Sequence, residues 1–273
     1  MNVDKKSFAK VLEITEQFGY TVEKKKRRPN MSILKSVLKI GVPLAVTAAA
    51  IVAAKLHEQE SNSKEQPHGN APIIVALGDS ITFGDGVKAT RKTDCWEAKL
   101  EKLLNGNYQV LNYGVCGATL QNEGDQPYYA AEAGQQSFPE AALSLNPEIV
   151  IFMLGTNDTK PYNWNRGRFE AQLDQRVKEI KAVPSVKRLI LMCPPYTCPV
   201  DGADAVAFDV INETIRDDVR PIVKKCAEEN GAECIDLYAL TDGHGEYFDD
   251  GVHPNSFGNR VIASAIAKVI QEG

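Results

Sequence analysis

Residues 76–83 read ALGDSITF, an apolar run that breaks at Gly78-Asp79-Ser80. Such a turn can be a simple bend, or it can lift the Ser80 hydroxyl to the mouth of a sheet. A serine hydroxyl is a weak nucleophile at neutral pH. It needs a base within hydrogen-bond reach, and the base needs an orienting acid. The chain holds four histidines. His57 and His68 fall in a polar stretch, His244 comes two residues after Asp242, and His253 comes three residues after Asp250 and just before Pro254. An acid three residues ahead on one turn can reach the imidazole Nδ1 while Nε2 faces outward, so Asp250 and His253 are the favoured partners of Ser80. Acyl transfer also needs donors for a developing oxyanion. The Gly117 amide, unobstructed by a Cβ, the Ser80 amide and the side-chain NH₂ of Asn157 are candidates. Taken singly, each has a plainer structural reading: Gly117 as a turn glycine, Asn157 as a helix cap, His253 as a surface histidine. Their order along the chain changes the weighing.

From residue 71 onward, short apolar runs alternate with helical spacing. IIVAL, YQVLNYGV, EIVIFML, VKRLILM and AECIDLY read as strands. CWEAKLEKLL, FEAQLDQRVKEIKAV, FDVINETIRDDVRPIVKKCAEEN and SFGNRVIASAIAKVIQ read as helices. Strand and helix in alternation imply a five-stranded parallel sheet covered on both faces, an α/β/α sandwich of three layers. Ligands bind such sheets at the carboxyl ends of the strands. GDSIT, NYGVCGAT, GTNDTKPYNW and CPPYTCP follow the first four runs, and a longer segment ending in DDGVHP follows the fifth. Nucleophile, donors and the acid–base pair thus gather on one edge.

The first 56 residues carry 11 Lys and Arg against 4 Asp and Glu, and the remainder carries 20 against 32. An acidic body lacks the basic stripe of a nucleic-acid-binding surface. Residues 1–32 form a basic N-terminal segment. Residues 33–56, uncharged from Ile40 to Ala54, read as a hydrophobic transmembrane signal-anchor helix with a cytoplasmic basic flank. A cleaved signal peptide beginning at Met31, and a soluble amphipathic or buried helix, are the competing readings. Residues 57–70 are a polar linker, and residues 71–273 form the domain. The expected location is therefore membrane-anchored with the domain outside the cytoplasm, or secreted after cleavage. The six cysteines, all in the domain, suit a disulfide there. Cys193 with Cys198, or Cys226 with Cys234, are the candidate bridges, with buried thiols as the equal alternative. No CxxC pair or His cluster suggests zinc.

Gly78-Asp79-Ser80-Ile81-Thr82, the stretch from Asn112 to Gly117, Gly155-Thr156-Asn157-Asp158 and Asp250-Gly251-Val252-His253 together resemble the four sequence blocks of the SGNH (GDSL-type) hydrolases, in that family's order. The resemblance covers about residues 71–270 and implies a flavodoxin-like sheet and metal-free, cofactor-free hydrolysis of acyl esters. It implies Ser80 as nucleophile, His253 as base, Asp250 as its partner, and the Ser80 amide, Gly117 and Asn157 as the oxyanion hole. GDQPYY and GTNDTKPYNW are similar to stretches in bacterial members that deacetylate carbohydrates, sialic acids included. An acetyl ester on a glycan or small molecule is accordingly the expected substrate. Tyr162 and Trp164 are possible sugar contacts or, equally, aromatics that pack a lid, and Tyr128 and Tyr129 either line the pocket or pack beneath it. A lysophospholipase or thioesterase is the enzymatic alternative. An anchored binding module on an inactive hydrolase fold is the non-enzymatic one, although no position of the pattern is missing.

Overall fold

The apolar runs after residue 71 become the strands of one parallel sheet. The computed structural model describes residues 65–131, 135–200 and 202–272. The basic segment 1–32, the hydrophobic segment 33–56 and the start of the linker lie outside the described residues. Among the described residues, no helix is long and apolar enough to cross a membrane.

Chain order gives β1 (Ile73–Gly78), a short helix α1 (Ser80–Phe83), α2 (Trp96–Leu103), β2 (Gln109–Gly114) and α3 (Phe138–Leu143). Then come β3 (Ile149–Met153), α4 (Arg166–Lys181), β4 (Arg188–Cys193), α5 (Arg220–Asn230), β5 (Glu233–Asp236) and α6 (Ser256–Glu272). The five strands lie in the order β2-β1-β3-β4-β5, all parallel. Because side chains alternate along a strand, each apolar run feeds two cores. Val75, Leu77, Val150, Phe152 and Leu191 pack with Phe169, Leu173 and Val177 of α4 and with Ile222 and Val223 of α5. Ile74, Ala76, Ile149, Ile151 and Ile190 face the other way, onto Trp96 and Leu100 of α2 and Ile262 and Ile266 of α6. Burial on both faces is why these strands read as unbroken apolar runs.

Three details depart from the sequence reading. The pattern beginning at Phe208 does not form one helix. Asn212–Thr214 is a single turn, Ile215–Val219 is wound as a π-helix, and regular α5 starts only at Arg220. Pro221, in the first turn of α5, has no N–H to continue the ladder from the turn before it. The polar stretch after Tyr129 contains α3, which begins on a capping box between Ser137 and Glu140. Finally, residues 65–70 run along the outer edge of β2. The Asn112 amide donates to Glu65 Oε2 at 2.7 Å, and the Tyr113 hydroxyl donates to the Glu65 carbonyl at 2.7 Å. That contact covers backbone groups of an edge strand that would otherwise be open.

No disulfide forms: all six cysteines are free thiols. The two expected bridges fail because their members face different neighbours. Cys193 Sγ donates to the Arg220 carbonyl, while Cys198 lies against the Gly245 turn. Cys226 Sγ accepts from the Asn230 side chain at 3.6 Å, whereas Cys234 lies on β5, in register with Leu191 of β4.

Candidate active site

β1 ends where Asp79 caps α1, its Oδ1 accepting from the Ile81 amide at 2.9 Å. Burial pushes the Asp79 carboxyl up to about 6, against the pull of that amide. Two glycines let this turn sit directly on the strand ends. A Cβ at Gly78 would lie 2.7 Å from the Met153 carbonyl, and one at Gly114 would lie 2.2 Å from the Phe83 nitrogen. Asn112 then ties β2 to the turn: its Nδ2 donates to the Thr82 carbonyl at 2.7 Å, and its Oδ1 accepts from the Gly114 amide at 2.9 Å. Ser80 is therefore held by its backbone surroundings and faces the connection that leads into α6.

That connection brings His253 to it. The imidazole Nε2 lies 2.8 Å from Ser80 Oγ, and Nδ1 lies 2.6 Å from Asp250 Oδ2. The other carboxylate oxygen of Asp250 accepts from the amides of Val252 at 2.9 Å and His253 at 2.7 Å. The acid is thus fixed by backbone before it orients the ring. Burial disfavours the imidazolium, but the hydrogen bond and charge of Asp250 outweigh it and hold the His253 pKa above the usual 6.5. Burial would likewise raise Asp250, yet the His253 ring, the two amides and the imidazolium charge bring it down to about 2. A hydroxyl, a base and an ionised acid in line can pass a proton from Oγ to Nε2 while the charge formed on the ring is stabilised in place.

The expected oxyanion donors stand on two loops joined by buried polar contacts. Asn157 Nδ2 donates one hydrogen to the Ala118 carbonyl at 3.1 Å, which leaves its second for another acceptor. The Ser80 and Gly117 amides donate to no acceptor among the described residues. Asp158, fully buried, accepts from the Leu120 and Gln121 amides at 2.9 Å each and so binds the loop after β2 to the loop after β3. Burial pushes its carboxyl up to about 6, against those amides. Asn163 locks the same region, donating to the Asn157 carbonyl at 3.0 Å and to Asp125 Oδ1 at 2.8 Å. The sequence reading assigned no role to Asp158 or Asn163. The available signal was their polarity in the segment that follows β3.

The aromatic candidates separate. Tyr162 is exposed and makes no ring contact or hydrogen bond among the described residues. Trp164 is half-buried, its ring 5.4 Å from that of Phe169, so it packs on the core. Tyr128 is buried, with its hydroxyl donating to the Tyr113 carbonyl, and Tyr129 stacks beneath the Arg176 guanidinium. Both tyrosines pack rather than open into a pocket. An aromatic that the sequence reading missed, Phe208, lies with its ring centroid 5.1 Å from that of His253. Among the described residues no group of three His, Cys, Asp or Glu side chains could hold a metal ion.

Residues 76–261 match the model of the GDSL-like lipase/acylhydrolase family. The chain belongs to that family. It is 33% identical over 223 residues to an acetylxylan esterase of Xylanibacter ruminicola, a match that takes in 75% of this chain and 44% of the relative. The chain thus spans less than half the length of that relative. A GDSL esterase/lipase of Arabidopsis thaliana is 25% identical over 74% of this chain and 79% of its own. Among solved structures, an acetylxylan esterase from Geobacillus stearothermophilus superposes with a TM-score of 0.55 at 23% identity, over 74% of this chain and 95% of its own. The M. smegmatis aryl esterase gives 0.58 at 20%, over 74% and 99%. Both share the three-layer fold.

Proposed function

We propose that the protein is a serine esterase that removes acetyl groups from carbohydrates. The observation that carries this reading is the unbroken line from Asp250 Oδ2 through the His253 ring to Ser80 Oγ, with links of 2.6 and 2.8 Å. Ser80 attacks the ester carbonyl as His253 takes its proton. The oxyanion is received by the amides of Ser80 and Gly117 and the free N–H of Asn157. His253 then protonates the departing alcohol, and water releases acetate in a second round with the same groups. The similarity to an acetylxylan esterase supports acetate on a polysaccharide as the substrate. Ser80→Ala should lower kcat by about 10⁴-fold or more on an acetylated xylooligosaccharide while the thermal midpoint holds. Full activity in the purified variant contradicts the reading. The proposal includes a domain outside the cytoplasm, tethered through residues 33–56 or released there. Recovery of the full chain only from the cytosolic fraction contradicts that part.

A further inference from the structure

The loop between β4 and α5 carries an exposed aromatic in an uncommon backbone state. Phe208 has φ 61° and ψ 23°, and Asp209 follows it at φ 59°. Two successive non-glycine residues in the left-handed region are disfavoured by Cβ–carbonyl contact, and surroundings must hold them there. Here they do. Val210 is buried with Ile215 and Tyr238, and the Ile211 amide donates to Thr159 Oγ1 at 3.1 Å, which ties the turn to the segment bearing Asn157. The strain does not serve to bury the ring, because Phe208 is 55% exposed. Its ring meets the His253 imidazole at 67°, edge against face.

The imidazole fixes which part of an ester this ring would meet. Nδ1 is taken by Asp250 and Nε2 by Ser80. The proton that Nε2 removes from Oγ goes next to the leaving oxygen, so the alcohol departs on the His253 side. The acyl oxygen points instead to the donors around Gly117 and Asn157. A ring held against His253 therefore borders the alcohol and not the acyl group. We infer that Phe208 is a specificity-determining residue that forms a leaving-group subsite, its open face receiving the C–H face of a pyranose ring. The negative face of a phenyl ring suits the polarised C–H bonds of a sugar. This inference rests on the esterase reading and adds to it the side of the site that recognises the alcohol.

The test is the ratio of kcat/KM for an acetylated xylooligosaccharide to that for ethyl acetate, in wild type, Phe208→Ala and Phe208→Trp, with the pH midpoint measured for each. The alanine variant should lower the ratio roughly three- to tenfold, mainly through KM for the sugar ester, with the midpoint unmoved. The tryptophan variant should keep the ratio within about twofold of wild type. An unchanged ratio in the alanine variant overturns the subsite, as does a loss explained by a displaced pH midpoint, which would make Phe208 a support for His253 instead. If wild type cleaves ethyl acetate and no sugar acetate, the carbohydrate reading fails separately. Phenyl acetate then replaces the sugar ester as the ring-bearing alcohol. A ratio of phenyl to ethyl acetate that falls in Phe208→Ala keeps the leaving-group subsite, and a constant one removes it.

Discussion

Two histidines on the connection between β5 and α6 each hold a carboxylate through Nδ1. His244 reaches Glu246 Oε1 at 2.8 Å, and His253 reaches Asp250 Oδ2 at 2.6 Å. Their distances differ little, yet their situations do. The His244 side chain is 48% exposed and its ring is stacked flat on Tyr247 at 4.7 Å, whereas the His253 side chain is 7% exposed and its second nitrogen holds Ser80. An ion pair in water is screened and contributes little. The same pair under a covering of protein keeps its field and directs one ring nitrogen at one hydroxyl. A histidine beside an acid is therefore common and uninformative; burial and a third partner separate the two turns.

The comparison can be tested by removing its parts in turn. Asp250→Asn should cost roughly 10³–10⁴-fold in kcat, because the amide can hold the ring but favours the wrong tautomer and cannot stabilise the imidazolium. Asn157→Ala leaves the line from Asp250 to Ser80 intact and should cost about 10²–10³-fold in kcat with KM little changed. The pH profile separates the turns further. In the proposed mechanism His253 must be neutral to act as base, and Asp250 holds its pKa above 6.5. kcat/KM should accordingly rise with pH through a midpoint above 6.5, and the residual activity of Asp250→Asn should show a midpoint lower than that of wild type, since the strongest raising partner is gone while burial, opposed only by the more distant charges of Asp85 and Asp79, remains. The same shift bears on stability. A histidine whose folded pKa is raised contributes stability that is fully present below the unfolded value near 6.5 and is lost as pH rises through the folded value. The smallest effect belongs to the other turn: His244→Ala should keep kcat/KM within about twofold, with the pH midpoint unmoved. A large loss in that variant would dissolve the contrast.

What could be read from the chain and what could not also divides by physics. IIVAL, EIVIFML and VKRLILM announce β1, β3 and β4 because a strand buried on both faces has no polar alternation to confuse it. The contact of Ser80, His253 and Asp250 was legible because each is a chemically committed residue type placed just after a strand or a turn. Phe208 was not. Nothing in Ala207-Phe208-Asp209 marks a left-handed turn, and its helical neighbourhood extended the expected helix over it. The contact between Phe208 and His253 joins residues far apart in sequence, and no local pattern encodes it. Trp164 illustrates the limit of residue type: an aromatic near a strand end reads equally as a sugar contact or as packing, and only the structure shows its ring against Phe169. The capping box at Ser137 and Glu140 was present in the sequence but lay within a run of polar residues that masked α3.

The central claim is that Ser80 is activated by His253 and Asp250 and not by any other acid–histidine pair. The most direct measurement is labelling of the intact protein with a fluorophosphonate, followed by peptide mapping and mass spectrometry, in wild type, Ser80→Ala, His253→Ala and His244→Ala. The account predicts one adduct per chain on Ser80 in wild type and in His244→Ala, and none at a comparable rate in the other two. An adduct on another residue, or labelling of His253→Ala at the wild-type rate, would contradict it.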